Sequence, residues 1–162
     1  MTLGYVELSW YFFAIGLLFW LVLLTLVFNR LMFHDPMPGK LKPTIAILVA
    51  PPALAFTNWT LFHGDVVDAP ARLFLNLAYF FLALVLVQLP SLLRLPFSLS
   101  FWAWSFPLAA VTGASFRFAE FTGSSFHLGL SWVLLAALVA AISALAALTL
   151  RAAFNDTLFV PD

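Results

Sequence analysis

The side chains able to do chemistry are few and scattered. His34, His63 and His127 fall in three different connections, a spacing that makes no metal cluster, so each reads as an interfacial or loop histidine. Cysteine is absent, which removes a thiol nucleophile, a disulfide framework and any cysteine-ligated metal. A glycine-rich phosphate loop, a His-Glu-x-x-His helix and a Gly-x-Ser-x-Gly elbow are all lacking, so neither an enzyme nor a cofactor is expected. No Asp, Glu or His stands in the middle of an apolar run, which leaves these runs without a proton relay. Arg117 and Glu120 are three residues apart and can pair on one helix face. That pair is either an interfacial ion pair or part of an ion-selective mouth.

Two stripes of small side chains stand out instead. At helical spacing Ala46, Ala50, Ala53, Thr57 and Thr60 share one face, and Ala103, Phe106, Ala110, Gly113 and Arg117 share another. The second stripe has one bulky apolar member, Phe106, directly before Pro107. Small residues on one face serve close helix packing. They also suit a narrow conduit, here plugged by one aromatic ring that excludes water. Both readings stand at this point. The first stripe is broken by Pro51 and Pro52 as the second is by Pro107. A proline inside a helix deletes a donor and frees carbonyls, which at membrane depth require a neighbouring helix, a polar side chain or a water-filled cavity. The two proline sites lie about one helical hairpin apart, which suggests a repeated hairpin unit.

The elements that must position these faces are transmembrane helices. Hydrophobic residues make up 64% of the 162-residue chain and charged residues 9%, too little charge for a water-facing surface; mean hydropathy is +1.07. The formal net charge is zero, against a nucleic-acid partner. The first ten residues carry Glu7 and no Lys or Arg, unlike a secretory signal. Five apolar runs, approximately 8–33, 43–62, 69–93, 97–120 and 127–153, are each long enough to cross an apolar core ~30 Å thick. Strand alternation is lacking, so a barrel is not expected. The fold class is an all-α integral membrane protein, with residues 1–162 forming a single, partial transmembrane domain.

The breakers and charges sit between the runs, in connections too short for a further domain. Arg30, Lys40, Lys42, Arg94 and Arg151 lie on one side, and Arg72 and Arg117 on the other. The first side, with the C-terminus, is therefore expected to be cytoplasmic in the cell (inner) membrane. An odd number of spans then puts the start of the chain outside, which suits a chain preceded by a further transmembrane segment. The first, third and fifth runs, crowded with Phe, Leu, Trp or Val or carrying an Ala136, Ala140, Ala144 seam, are expected outside, and the proline-bearing second and fourth inside. Trp10, Trp20, Trp59, Trp102, Trp104 and Trp132 include candidates for interfacial belts.

Three stretches carry a resemblance: Phe33-His34-Asp35-Pro36-Met37-Pro38 followed by residues 42–53 (KPTIAILVAPPA), residues 96–108 (PFSLSFWAWSFPL), and Thr157-Leu158-Phe159-Val160-Pro161-Asp162 at the end. Together they resemble the tellurite-resistance/dicarboxylate transporter family, which includes bacterial tellurite-resistance proteins, malate permeases and the plant guard-cell slow anion channel. The resemblance implies a ten-helix hairpin-repeat pore in each subunit of a homotrimer, with odd-numbered helices lining it. The five runs would be helices six to ten, the second and fourth being the inner seventh and ninth. Phe106 then matches the phenylalanine that closes the pore. The family's first five helices have no counterpart in these residues, so an N-terminal half is expected in cis or in trans. The implied function is passage of small inorganic anions, or of four-carbon dicarboxylates such as malate. A proton-coupled dicarboxylate carrier is the rival within transport, and a non-transporting membrane subunit or degenerate fragment the rival outside it.

Overall fold

A computed structural model describes residues 5–35 and 37–155. Pro36 and the terminal 157–162 motif lie outside the described residues. Five α-helices follow in order: α1 (Val6–Phe33), α2 (Ala50–Phe62), α3 (Ala69–Leu92), α4 (Ser105–Thr122) and α5 (Ser125–Phe154). Two 3-10 segments, Gly39–Val49 and Leu99–Trp104, lead into α2 and α4. No strand occurs among the described residues, and the chain is an all-α membrane protein. Four helices are long and apolar enough to span: α1, α3, α5, and α2 taken with its 3-10 lead-in. The α4 run is less apolar because hydroxyls, Arg117 and Glu120 interrupt it.

The prolines do not kink a continuous α-helix, as the sequence had implied for Pro51, Pro52 and Pro107. Each sits in the first turn of the α-helical part: Pro51 and Pro52 just inside α2, Pro107 as the third residue of α4. An amide there has no partner within the helix in any case, so a proline costs little. The missing donors are absorbed by the preceding 3-10 segment, whose bonds reach one residue less far back. The Ala50 amide, for example, bonds the Ile47 carbonyl. Both proline sites are thus built alike, as a 3-10 lead-in followed by a proline-bearing first turn.

Helix ends are set by local chemistry. Asp68 caps α3, its carboxylate accepting from the Ala71 amide at 3.0 Å. Ser124 caps α5 through the His127 amide. Gly123 ends α4 at φ 64°. Between α2 and α3 the chain reverses through Gly64 and Asp65, both left-handed at φ 63° and 66°. Gly, Asn and Asp tolerate that conformation best.

Contacts at the helix ends show an up-and-down arrangement. Trp10 near the start of α1 stacks on Phe62 at the end of α2, ring centroids 4.3 Å apart. Trp59 donates from its indole to both Asp68 oxygens, at 2.9 and 3.1 Å. At the opposite end the Ser100 hydroxyl donates to the Lys40 carbonyl, and the Trp102 indole donates to Thr149 at 3.0 Å. Lys40, Lys42, Arg94 and Arg151 therefore share one end of the bundle, and Arg72 and Arg117 the other.

The core lies where α2, α3 and α4 meet. Ala53, Phe56, Ala71, Ala78, Val111 and Ala114 are fully buried there. Small side chains bring the backbones close around Phe56, whose ring meets Phe118 at 6.1 Å. The helix α1 buries no residue completely. It leans on the core along Phe13, Leu17, Trp20, Leu24 and Phe28, one helical face. Outermost too is α5, which buries only Ser131, Leu134 and Leu145. Its Ala136, Ala140 and Ala144 are exposed, so that stripe is not the seam α5 uses inside this chain. The helix α3 is less peripheral than expected, since eight of its residues are buried.

Two consequences can be measured on purified protein in detergent. Ala53→Leu forces a branched side chain into the α2–α3–α4 seam and should destabilise by about 1–3 kcal/mol, whereas Ala83→Leu on the exposed face of α3 should leave thermal unfolding unchanged. The Asp68 carboxyl is held below its usual value by the Ala71 amide, with the Trp59 indole and His63 adding to the effect. Its folded-state pKa being depressed, its contribution is complete above the ordinary carboxylate range and is lost as pH falls through the folded value. Asp68→Ala should lower the melting temperature at neutral pH. Asp68→Asn still caps the helix and accepts from the indole, and should keep most of the stability while removing the acid sensitivity below about pH 4.

Candidate functional site

An apolar trough of about 1200 Å³ is walled by α1, α2 and the first turn of α4. From α1 it takes Phe12, Phe13, Gly16 and Trp20, among others. The indole N–H of Trp20 is buried without a hydrogen-bond partner. From α2 and its lead-in come Ile47, Pro51, Leu54, Asn58 and Leu61, an i, i+4, i+7, i+11, i+14 stripe. From α4 and its lead-in come Ala103, Phe106 and Pro107. Two polar side chains in this wall are turned back on their own helices. Asn58 donates its amide to the Leu54 carbonyl at 2.9 Å, and Ser9 its hydroxyl to the Tyr5 carbonyl at 3.0 Å.

The α4 stripe faces open space. Phe106 is 59% exposed, Ala103 and Ala110 are half-buried, and a Cβ added at Gly113 would meet nothing within 4 Å. Phe106 is thus the one large apolar side chain on a stripe that otherwise carries Ala103, Ala110 and Gly113 until Arg117 ends it. The α2 stripe is placed differently. Ala46, Ala53 and Thr60 are buried, and Thr57 is half-buried with its hydroxyl on the Ala53 carbonyl. Ala50 is buried as well, although it touches the trough. The small face of α2 is therefore its packing face toward α3 and α4, because small side chains let those backbones approach. The open face is the adjoining one that carries Ile47, Pro51, Leu54 and Asn58. Asn58, the single amide on that stripe, was the signal in the sequence that could have located it.

Arg117 ends the open stripe of α4. Its partner is not Glu120 along the helix but Asp65 in the α2–α3 turn, with which it forms an ion pair. Its Nε also donates to the Thr60 hydroxyl at 2.9 Å, and its guanidinium lies 4.8 Å from the centre of the Phe121 ring. A left-handed turn thus places a carboxylate against the C-terminal ends of α2 and α4, where backbone carbonyls already gather partial negative charge. Sequence spacing missed Asp65 because it is 52 residues from Arg117. Only its place next to Gly64 marked it as a turn residue.

The three histidines remain apart. His63 stacks on Trp59 at 4.3 Å, and His127 packs on Phe118 at 4.3 Å with its ring nitrogen 2.8 Å from the Ser124 hydroxyl. His34 follows α1 and is exposed.

Comparison with known proteins gives a consistent answer. Residues 1–150 match the voltage-dependent anion channel family. The S-type anion channel SLAH2 of Arabidopsis thaliana is 36% identical over 166 residues, covering 99% of this chain and 31% of that protein. The S-type anion channel SLAH3 of the same plant is 28% identical, covering 94% of this chain and 24% of the relative, and its guard cell channel SLAC1 is 25% identical, covering 72% and 21%. The chain therefore spans about a third or less of the length of these relatives. A multi-pass helical bundle, an apolar trough and a match along nearly the whole sequence lead to one assignment: the chain belongs to the SLAC1 family of voltage-dependent anion channels, the same family that the tellurite-resistance and dicarboxylate-transporter motifs resemble.

Proposed function

We propose that this chain supplies one side of a pore through which anions cross the bilayer, with Phe106 as its gate. The observation that carries the reading is Phe106 itself, standing 59% exposed in an apolar trough as the one large apolar side chain on a stripe of Ala103, Ala110 and Gly113 that ends at Arg117. That its relatives are S-type anion channels supports the same class of cargo. A wall of this kind offers no fixed charge between its two ends. The barrier to an anion is then dehydration in a narrow apolar passage, and a ring that swings aside admits water and lowers it.

The pathway runs along the open stripe of α4, past Ala103, Phe106, Ala110 and Gly113 to Arg117. Ile47 of the 3-10 lead-in and Pro51, Leu54 and Asn58 of α2 face it, and Ala50 touches it. Further walls come from helices outside this chain, in cis or in trans, within a homotrimer. The basic end of the bundle, which holds Lys40, Lys42, Arg94 and Arg151, is the cytoplasmic end in the inner cell membrane. The cargo is a small inorganic anion or a four-carbon dicarboxylate such as malate.

Phe106→Ala should raise anion current in oocytes, or anion flux in proteoliposomes, by roughly tenfold, equivalent to ~1.4 kcal/mol of barrier. Phe106→Trp should not raise it. Chloride, nitrate, sulfite and malate assayed in parallel would rank the cargo. Unchanged flux in a normally folded, surface-expressed Phe106→Ala protein removes Phe106 from the gate.

A further inference from the structure

At the acidic end of the bundle the described carboxylates outnumber the cations. Glu7, Asp65, Asp68 and Glu120 stand there against Arg72 and Arg117. Two of these groups are engaged away from the open stripe of α4. Asp68 is held by the α3 amide and the Trp59 indole, and Arg72 lies over the Phe118 ring at 5.3 Å. Arg117 is the one cation on the open stripe of α4. It lies eleven residues, or roughly 16 Å, beyond Phe106 on nearly the same face. Its charge is cancelled by Asp65.

The pair is built to be exchangeable. The Asp65 side chain is 53% exposed and that of Arg117 23%, so the bond lies at the water boundary, where ion pairs are weak and screened by salt. Thr60 and Asp65 occupy the Nε and one Nη2 donor, and a guanidinium has five donors in all. Further N–H groups therefore remain to meet an oxyanion or a halide. Thr60, fully buried, holds the arginine in place whether or not Asp65 is bound.

We propose that Asp65 is an internal counter-ion which competes with the transported anion for Arg117, so that this ion pair sets how strongly the acidic end of the open α4 stripe attracts anions. The proposal rests on the anion-pathway reading. It makes a signed prediction, because the pair contributes zero net charge as found, +1 in Asp65→Asn, −1 in Arg117→Gln and zero in the double variant. Asparagine suits the left-handed φ of residue 65, so Asp65→Asn leaves the turn intact.

Anion currents should be recorded on the full protein in oocytes, in low and in high ionic strength, with surface expression measured for each variant. At low ionic strength Asp65→Asn should exceed the parent by roughly twofold to tenfold, Arg117→Gln should fall below it by a similar factor, and the double variant should return near the parent. These differences should shrink as salt screens the mouth. A lowered current in both single variants, or an unchanged one in Asp65→Asn, overturns the counter-ion role and leaves a structural clasp. Should no variant pass anions, Phe106→Ala included, the pathway reading itself fails. Infrared difference spectra of the reconstituted protein titrated with nitrate then decide the counter-ion separately. A nitrate-dependent carboxylate band that disappears in both Asp65→Asn and Arg117→Gln supports it, and the absence of such a band overturns it.

Discussion

In lipid, helices gain almost nothing by hiding apolar side chains from one another, because the solvent is as apolar as they are. Backbone approach is what remains, and with it the many weak contacts that close packing allows. The seam of Ala53, Ala71, Ala78 and Ala114 around Phe56 meets that requirement. Once α2 commits its small face to this seam, its next face, with Ile47, Pro51, Leu54 and Asn58, is left to line the trough. The same commitment fixes α4, whose Val111, Ala114 and Phe118 enter the core while Phe106, Gly113 and Arg117 stay outside it. Where the trough lies is therefore a by-product of which faces pack.

The prolines serve this arrangement by position. A mid-helix proline would strand carbonyls in the bilayer core. Placing Pro51, Pro52 and Pro107 in first turns avoids that, and the 3-10 segments let the chain change pitch before the α-helix begins. Each of these segments precedes a helix that walls the trough. Pro51 and Pro107 themselves contribute to its surface, so the change of pitch falls beside Phe106. Ala103, on the last 3-10 turn, and Phe106, on the first α-turn, are three residues apart and line the same wall.

Much of the architecture was legible in the sequence, because runs of ~20 apolar residues admit few readings in a chain so poor in charge. The class, the five helices and the outer position of α1 and α5 followed from length and spacing, whereas spacing alone left open whether the α4 stripe packs or stays exposed. The face of α2 did not follow either. Small residues suit a packing seam and a conduit equally well, and only the neighbours of Ala46, Ala53 and Thr60 distinguish the two. The same limit applies to Ala136, Ala140 and Ala144, which α5 leaves exposed. The 3-10 segments were hidden as well, since proline marks the end of regular hydrogen bonding without saying whether the break is a kink or a beginning. The Arg117 pair was misassigned for a different reason. Glu120 is near in sequence, but the left-handed turn at Gly64 and Asp65 brings a carboxylate nearer in space.

Charge distribution connects these points. A wall with no ionised side chain between its two ends discriminates poorly by sign along its length, since an apolar lining resists any bare ion. In the proposed pathway, discrimination must then arise where an ion first meets fixed charge, at the ends of the helices. The basic end offers several cations, Lys40 and Lys42 in the first 3-10 segment, Arg94 after α3 and Arg151 in the last turn of α5, whereas the acidic end offers one arginine on the open stripe of α4, already paired. Its position follows from the fold: Asp65 can reach Arg117 only because α2 ends where it does, and α2 and α4 come that close only because the seam between them is small. The side chains that close the core thus also determine how much charge the acidic end of the α4 stripe presents.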